Sequence, residues 1–424
     1  MTVQFIHAAD LHIDSPLRGL QRYEGAPADR LQGATRTALV RIVDLAIRKQ
    51  VAFVIIAGDL FDGQWQDMQT GLWTASQFRR LQQANIDVYL MRGNHDAESL
   101  IGRTMRWPPN VHEFTTSKPQ TFRHEASGMA LHGQGFAHRS VQEDLAANYP
   151  APLDGWFNIG VLHTSLTGDP LHDPYAPTSV RVLNERGYHY WALGHIHARR
   201  TIQEAPYIGY PGNTQGRHIN EPGSKGCSLV TVTDGHLDSI TFEATDSLRW
   251  ATVEVELEEQ DDDDRFLEKL RDHLLSARDR CEDCFCAARI VVTGACRLHE
   301  QLALTEDGRQ TEQLSADIRN LANEFEESIW VEKVVWNTRP VADINRLRQQ
   351  QDLLGDLLRM SAAIANDDHQ LRQMGVEFQP LIHKERAVAA LSAVGIDLQD
   401  PQQWQRWLRQ AEQLLVTQML EMDL

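Results

Sequence analysis

Aspartate, asparagine and histidine residues recur in five short clusters between residues 10 and 197. These clusters are Asp-Leu-His at 10–12, Gly-Asp-Leu-Phe-Asp at 58–62, Gly-Asn-His-Asp at 93–96, a histidine at 163 and Gly-His-Ile-His at 194–197. Their side chains supply oxygen and nitrogen ligands without a thiolate. Such a set suits Mn²⁺, Fe²⁺ or Zn²⁺, and the asparagine carbonyl favours Mn²⁺. The clusters therefore predict a divalent-metal site.

The clusters hold too many candidate ligands for a single ion. The seven candidates are Asp10, His12, Asp59, Asn94, His163, His195 and His197. One ion in an open catalytic site cannot use them all, whereas two ions can if one carboxylate bridges them. Asp59 is the predicted bridge because it ends the most apolar strand of the chain. A water shared by two divalent ions loses a proton near neutral pH and becomes a nucleophile, so the pattern predicts a hydrolytic metal site.

A predicted β-strand precedes each cluster. The predicted strands are residues 3–8, 51–57, 87–91, 157–162 and 189–193. Helical periodicity at 36–49 and 70–84 separates the first three strands, and this alternation predicts a layered α/β domain. Loops at the carboxyl ends of such strands converge on one crevice, so residues as distant as Asp10 and His197 can meet there.

Charge is distributed unevenly along the chain. The whole chain carries 41 Lys and Arg against 59 Asp and Glu, a net charge of −18. Residues 1–245 contain 21 basic and 24 acidic side chains (net −3), and residues 246–424 contain 20 and 35 (net −15). Because phosphate contacts need cations, the acidic C-terminal part is a poor nucleic-acid binder. Bound divalent metal ions would make residues 1–245 a better nucleic-acid binder.

Composition predicts a soluble protein of a reducing compartment. A length of 424 residues suggests about two to three domains, and 42% hydrophobic residues are enough for a sizeable core. No apolar run approaches the ~18 residues of a membrane span, and the first residues lack a basic lead-in. Five cysteines exclude a disulfide scaffold. We therefore expect a cytoplasmic protein without membrane contact.

A change in composition near residue 246 predicts three domains: 1–245, 246–339 and 340–424. The middle one has an α+β pattern. Its predicted strands are 251–257, 287–292 and 330–336, and its predicted helices are one ending near 280 and one at 310–324. After residue 340 the chain is rich in Gln and Leu at helical spacing, which predicts a helical C-terminal segment.

The last predicted helix starts at Asp400 and Pro401, a typical N-cap and first helical residue. Trp404, Trp407 and Leu408 follow at helical spacing. Such a stripe either packs within its own domain or docks a partner.

The cysteines and several histidines are predicted to be structural. Cys281, Cys284 and Cys286 include a Cys-x-x-Cys spacing, but zinc needs a second ligand pair, and only Cys296 and His299 are near. Ordinary thiols of a turn and a strand are the favoured interpretation. A structural role is also predicted for five histidines outside the clusters: His7, His112, His124, His132 and His138.

The order of the five clusters resembles that of the calcineurin-like metallophosphoesterases, and most of all the SbcD-type DNA-repair nucleases in their YhaO-like branch. Supporting segments are Phe-Ile-His-Ala-Ala-Asp-Leu-His-Ile-Asp at 5–14, Gly-Asp-Leu-Phe-Asp at 58–62, Tyr-Pro-Gly-Asn-Thr-Gln-Gly-Arg at 210–217 and Lys-Gly at 225–226. Phosphoprotein phosphatases fit poorly, because Gly63 and Gln64 replace their Arg-Gly and Asp96 replaces their Glu.

The resemblance implies a metallophosphoesterase β-sandwich flanked by helices. It covers residues 1–240 well. Beyond residue 246 it extends only to architecture, because the family has a capping domain there, followed here by the helical C-terminal segment.

The resemblance also implies roles for single residues. One ion would be held by Asp10, His12, Asp59 and His197, and the second by the shared Asp59 with Asn94, His163 and His195. His95 would steady the phosphoryl group or protonate the leaving oxygen. Asp96 would orient the His95 imidazole and raise its pKa. Asp62, at a place where some members have His, is expected to form a supporting hydrogen bond.

Three arginines flank the last motifs: Arg199, Arg200 and Arg217. They either contact DNA phosphates or are solvated surface charges.

The implied function is a Mn²⁺-dependent DNA nuclease of double-strand-break repair, 3′–5′ exonuclease-like on double-stranded ends with some endonuclease activity. It would be a homodimer whose C-terminal helices bind an SbcC-like coiled-coil ABC-type ATPase. A small-nucleotide phosphodiesterase or phosphatase would share the metal site, but it has little use for the residues after 245. A DNA-end-binding scaffold is a further alternative, which the complete ligand set disfavours.

Overall fold

The computed structural model describes residues 1–15, 27–63, 67–97, 99, 105–166, 175–299, 309–325, 328–339, 341, 344–378 and 400–422. The chain divides into two compact units. The first comprises Met1–Val253, Arg271–Ile290 and Ile318–Val335, and the second comprises Glu254–Leu270, Val291–Asp317 and Trp336–Leu424. The domain boundaries at 245 and 339 stay predictions.

The first of two six-stranded sheets contains the three strands that precede the first three clusters. Its strands are β1 (Thr2–Ala8), β2 (Phe53–Ala57), β3 (Asp87–Met91), β4 (Val111–Glu113), β11 (Gly226–Thr233) and β12 (His236–Ala244). Their order is β12-β11-β1-β2-β3-β4. β1 to β4 run parallel, whereas β11 pairs antiparallel with both β1 and β12.

The second sheet contains the strands that precede the last two clusters. Its strands are β5 (Gln120–His124), β6 (Met129–Gly133), β7 (Phe157–His163), β8 (Tyr190–Gly194), β9 (Arg200–Glu204) and β10 (Tyr207–Tyr210). Their order is β5-β6-β7-β8-β10-β9, with parallel pairing from β6 to β10 and antiparallel edges.

Burial on both faces explains the unbroken apolar run of β2. Val54 and Ile56 pack in a core with side chains of α1 (Ala28–Lys49) and α2 (Met68–Gln83). Phe53 and Ile55 lie in the core that the two sheets share. A strand covered on both faces has apolar side chains at successive positions, each contributing roughly 1.5–3 kcal/mol when fully buried. Two packed sheets with flanking helices confirm the predicted fold class.

A third core covers the other face of the second sheet. It includes Trp191 of β8, Tyr149 and Leu183 of α3 (Val180–Glu185). These large buried side chains hold the ends of β7 and β8, and therefore the last two clusters, in fixed positions.

The segment after residue 247 has the predicted α+β pattern. β13 (Leu248–Glu256), β14 (Phe285–Ala295) and β15 (Ile329–Arg339) form a sheet in that order. Along the chain, α4 (Asp263–Arg280) and α5 (Arg309–Asn323) alternate with these strands. All three strands are longer than predicted.

The C-terminal part is helical, as predicted. It contains α6 (Ile344–Arg348), α7 (Leu353–Ala365), α8 (Asp368–Phe378) and α9 (Pro401–Met422). The Asp400 carboxylate accepts a hydrogen bond from the Gln402 backbone N–H at 2.9 Å, so the predicted cap is present. Trp404 is buried, which favours packing within its own domain. None of the helices in the described ranges is long and apolar enough to cross a lipid bilayer.

Candidate metal centre

The five clusters meet at one edge of the sandwich. Asp10 and His12 follow β1, Asp59 follows β2, and Asn94 follows β3 in the first sheet. His163 ends β7, and His195 and His197 follow β8 in the second sheet. The loops are joined directly, because the Asp10 N–H donates to the Gly58 carbonyl at 3.1 Å and the His12 N–H to the Asp59 carbonyl at 3.0 Å. Both sheets therefore contribute to the site.

The backbone at the clusters departs from ordinary strand and helix geometry. Four non-glycine residues have positive φ: Asp10 at 54°, His12 at 44°, Asp59 at 53° and His195 at 101°. Such conformations cost of order 1–3 kcal/mol each, and they concentrate at functional sites. The strain turns these side chains towards a common point.

Glycines next to the clusters allow side chains to approach the backbone closely. A Cβ atom on Gly93 would lie 2.3 Å from Asp59 Oδ1, and one on Gly58 would lie 2.3 Å from His163 Nδ1. These glycines are therefore required for packing, as well as for the tight turns that the sequence predicted.

One group of candidate ligands surrounds His12. His12 Nε2 lies 3.3 Å from His197 Nε2 and 3.8 Å from Asp59 Oδ2. His197 Nε2 lies 3.8 Å from Asp10 Oδ1. The ligand atoms of Asp10, His12 and His197 all lie within 4.8 Å of one another. This is the set expected for the first ion.

A second group surrounds His163. His163 Nε2 lies 2.9 Å from Asn94 Oδ1 and 3.4 Å from Asp59 Oδ2. The His195 ring centroid is 5.2 Å from that of His163, and the His195 backbone N–H donates to Asp10 Oδ2 at 3.0 Å. All seven predicted ligands thus lie in one centre, with Asp59 between the two groups.

The donor set fits divalent cations. Imidazole nitrogens, carboxylates and an amide oxygen face one another at 2.9–3.8 Å, close enough to share cations. Among the described residues, the groups able to hold a metal all belong to these clusters: Asp10 with His12 and His197, Asp10 with Asp59 and His163, and His12 with Asp62 and His95. Cys281, Cys284 and Cys286 belong to none of them, and Cys284 Sγ donates to the Asp246 carbonyl at 3.1 Å.

Hydrogen bonds on the far side of two imidazoles direct Nε2 into the centre. His163 Nδ1 donates to the Ala57 carbonyl at 2.9 Å. His197 Nδ1 donates to Glu221 Oε1 at 2.6 Å. Ligand histidines commonly have such partners, which select the tautomer and the ring orientation. Sequence reasoning missed Glu221, because it lies in a loop that follows no predicted strand.

Charge in the buried part of the centre is strongly coupled. Burial would raise the pKa of the Asp59 carboxyl, but His163 and His12 beside it hold that pKa well below its usual range. Burial would likewise lower the pKa of the His163 imidazole, but Asp59 raises it to about 9. Asp59 is therefore an ionised carboxylate in a fully buried place, which is the state that a shared cation ligand requires.

The predicted role of Asp96 is wrong. Its carboxylate turns towards the 58–62 loop and accepts backbone N–H groups of Leu60 at 3.1 Å, Phe61 at 2.9 Å and Gly93 at 3.1 Å. Burial, together with Asp59, raises the pKa of Asp96 to about 7. Asp96 holds two ligand loops together and does not reach the His95 ring.

Asp62 takes the position predicted for Asp96. Its Oδ1 lies 3.4 Å from His95 Nδ1, and its Oδ2 accepts from Ser15 Oγ at 2.9 Å. Burial would lower the pKa of His95, but the hydrogen bond to Asp62 and the charge of Asp59 raise it. Sequence adjacency misled the prediction, because the turn after β3 points neighbouring side chains in different directions.

The three predicted arginines differ in position. Arg217 lies at the rim, with Nη1 3.5 Å from Ser15 Oγ and 4.0 Å from Asp62 Oδ2. Arg199 lies over the Phe242 ring, 5.0 Å from its centroid, and Arg200 is exposed on the edge strand β9. Only Arg217 is brought to the centre.

The predicted structural histidines include His7, buried beneath the centre. Its Nδ1 lies 3.0 Å from the Tyr190 hydroxyl and its Nε2 lies 3.1 Å from the Leu193 carbonyl, so it connects the two sheets. Burial lowers the pKa of His7 to about 3 despite the second of these bonds.

Comparison with known proteins finds two family matches along the chain. Residues 3–199 match the calcineurin-like phosphoesterase family, and residues 250–339 match the middle domain of metallophosphoesterase YhaO. The uncharacterized metallophosphoesterase YhaO of Bacillus subtilis (strain 168) is 39% identical over 259 residues, 60% of this chain and 63% of that protein. The resemblance inferred from the clusters is confirmed.

More distant relatives are DNA repair proteins. The DNA double-strand break repair protein Mre11 of Haloferax volcanii is 24% identical over 269 residues, 63% of this chain and 58% of that protein. The chain thus matches less than two thirds of the length of either relative. The alignment with a solved dimetal phosphatase from Danio rerio covers 57% of this chain and 99% of that chain, with a TM-score of 0.33 at 13% identity.

Proposed function

We propose that the protein is a DNA nuclease that uses two divalent metal ions, with Mn²⁺ as the favoured metal. It acts as a 3′–5′ exonuclease on double-stranded ends, with some endonuclease activity, in cytoplasmic double-strand-break repair. The observation that carries the proposal is the convergence of seven ligands from both sheets beside His95 at the rim. The similarity to Mre11 supports DNA as the substrate.

In this proposal the ligands divide between two ions. Asp10, His12, Asp59 and His197 hold one ion, and Asn94, His163 and His195 complete the other with the shared Asp59. Bound divalent ions supply a water of lowered pKa and neutralise charge on the phosphate.

His95 is the proposed acid for the leaving 3′-oxygen. Its ring lies edge-on to His12, with 5.0 Å between centroids, and its backbone N–H donates to Asp59 Oδ1 at 2.9 Å. Nδ1 faces Asp62, so Nε2 is the nitrogen left for the substrate. Arg217 at the same rim is the proposed contact to a DNA phosphate, since a guanidinium matches phosphate oxygens. Arg199 and Arg200 are farther candidates.

We also propose that the C-terminal helices bind an SbcC-like coiled-coil ATPase and that the protein is a homodimer. The surface that favours the first of these is the outer face of α7. Leu353, Leu357, Met360 and Ile364 follow one another at spacings of four and three, the repeat of a coiled-coil seam. Leu353 is 67% exposed and Met360 is 61% exposed, while Leu354 and Leu358 pack with Val416. Introduction of a negative charge at Met360 (Met360→Glu) should abolish co-elution with such an ATPase and leave the melting temperature unchanged.

The test of the nuclease proposal uses Mn²⁺-loaded full-length protein. End-labelled linear duplex and bis-p-nitrophenyl phosphate are offered in parallel, with and without the ATPase. Release of nucleotides from duplex ends supports the proposal. Cleavage of the small ester alone indicates the phosphodiesterase alternative. Binding of DNA ends without hydrolysis of either substrate indicates the scaffold alternative.

A further inference from the structure

We propose that Glu221 is a positioning residue that holds the metal ligand His197 in its binding orientation. This inference rests on the proposed metal centre and does not depend on the substrate. Glu221 lies in the loop of residues 211–225 between β10 and β11, outside the five clusters. From the sequence it has no predicted metal-site role, although segments 210–217 and 225–226 on either side support the family resemblance.

The Glu221 carboxylate is buried and fully engaged. Its side chain is 8% exposed. Oε1 accepts from His197 Nδ1 at 2.6 Å, while Oε2 accepts from Asn213 Nδ2 at 2.9 Å and from the Arg217 backbone N–H at 2.8 Å. A buried carboxylate is tolerated only with such partners. Rotation of Glu221 away from His197 would break all three bonds, so the carboxylate is a rigid acceptor.

His197 depends on its hydrogen bond to Glu221 more than His163 depends on its bond to the Ala57 carbonyl. The His163 side chain is 0% exposed, and surrounding atoms restrict its ring. The His197 side chain is 24% exposed, so packing alone leaves it free to rotate towards solvent. The short bond to Glu221 holds Nδ1 and thereby directs Nε2 to its place 3.3 Å from His12 Nε2. A carboxylate partner also makes the imidazole a stronger ligand.

The loop that carries Glu221 is anchored to β13. The Gln215 side chain donates to the Leu248 carbonyl at 2.7 Å and accepts from the Ser247 N–H at 2.9 Å. Trp250 Nε1 donates to the Gly216 carbonyl at 3.0 Å. The Asn213 N–H donates to the His197 carbonyl at 3.1 Å, which closes the loop on the ligand itself. The first residues of β13 therefore support the metal centre through Glu221.

The experiment measures Mn²⁺ affinity by titration calorimetry on the full-length protein, without DNA. Glu221→Gln keeps the shape of the side chain and should weaken Mn²⁺ binding about 10–100-fold. The matched control is Glu332→Gln, which neutralises another buried carboxylate, one that accepts from Arg289 at 2.7 Å on each oxygen. This control should lower the melting temperature and leave Mn²⁺ affinity unchanged.

A mutant cycle tests whether Glu221 acts through His197. Once His197→Gln has removed the ligand, Glu221→Gln should weaken Mn²⁺ binding no further, whereas independent effects would add. Activity lost in Glu221→Gln should return at high Mn²⁺, because the ligand is misplaced and not absent. If Glu221→Gln fails to fold, Gln215→Ala loosens the same loop and should weaken Mn²⁺ binding by a smaller factor.

Wild-type Mn²⁺ affinity in Glu221→Gln, or additive effects in the cycle, would overturn the inference. Failure of the wild-type protein to bind Mn²⁺ would overturn it together with the proposed centre. Mn²⁺ binding that depends on Glu221 without any DNA cleavage would refute the nuclease proposal alone.

Discussion

The two sides of the metal centre are built by different means. On the closed side, Asp59, Asn94 and His163 are buried, and strand ends and close glycine contacts hold them. On the open side, His95 and His197 are partly exposed, and each is held by a carboxylate, Asp62 or Glu221. Burial restricts a side chain without further help, whereas a side chain at a rim needs a hydrogen-bond partner. A substitution that adds volume on the closed side should therefore disrupt the centre. On the open side, loss of a carboxylate should disrupt it.

The largest expected effect is that of Gly93→Ala on the closed side. The new methyl group would lie 2.3 Å from Asp59 Oδ1 and 2.8 Å from the Asp59 nitrogen, so the shared ligand must move. We expect loss of Mn²⁺ binding and of all hydrolysis, measured by calorimetry and by ester cleavage. Gly33→Ala is the control, because it meets no atom within 4 Å in α1 and should stabilise the fold by roughly 0.5–1 kcal/mol. Unchanged Mn²⁺ affinity in Gly93→Ala would contradict the claim that close glycine contacts hold the ligands of the closed side.

The next effect is that of His95→Ala on the open side. Loss of a general acid should slow DNA cleavage about 10²–10⁴-fold, while Mn²⁺ affinity stays that of the wild type. Single-turnover cleavage of labelled duplex and calorimetry measure the two quantities. A normal cleavage rate would show that His95 has no role in proton transfer.

A smaller effect should separate the two aspartates near His95. Asp62→Asn removes the charge beside the imidazole and should slow cleavage about tenfold to hundredfold with little change in stability. Asp96→Asn replaces an acceptor of three backbone N–H groups and should lower the melting temperature by more than Asp62→Asn does. Cleavage kinetics of both variants give the change in rate, and thermal melts give the change in melting temperature. The reverse pattern would restore Asp96 as the partner of His95.

The smallest effect on cleavage is expected at His7, beneath the closed side, where substitution acts on stability. Its folded pKa of about 3 lies below the usual 6.5, so the folded state binds fewer protons than the unfolded state between these values. The stability that neutral His7 contributes is complete above pH 6.5 and is lost as the pH falls towards 3. His7→Gln should therefore reduce the acid sensitivity of unfolding by up to about 1.4 kcal/mol per pH unit. Urea unfolding from pH 7 to pH 4, on the wild type and on His7→Gln, measures this pH dependence of the free energy of unfolding.

Sequence reasoning predicted the closed side well and the open side in part. Ligands such as Asp59 and His163 end apolar strands, so their position follows from a pattern along the chain. Glu221 and the Asp62–His95 pair depend on how loops fold back in three dimensions, and adjacent residues such as His95 and Asp96 can point in different directions. The half-exposed edge strand β9 was not predicted, because its residues Arg-Thr-Ile-Gln-Glu carry little apolar pattern, whereas the buried strands β6, β10 and β11 were missed although their residues are apolar.

Because the seven ligands come from strands of two different sheets, any cation bound among them ties one sheet to the other. Its binding free energy then adds to the cohesion of the sandwich, so heat resistance should rise with the concentration of Mn²⁺. Substitutions in the core between the sheets, far from the metal centre, should in turn first lower the affinity for metal.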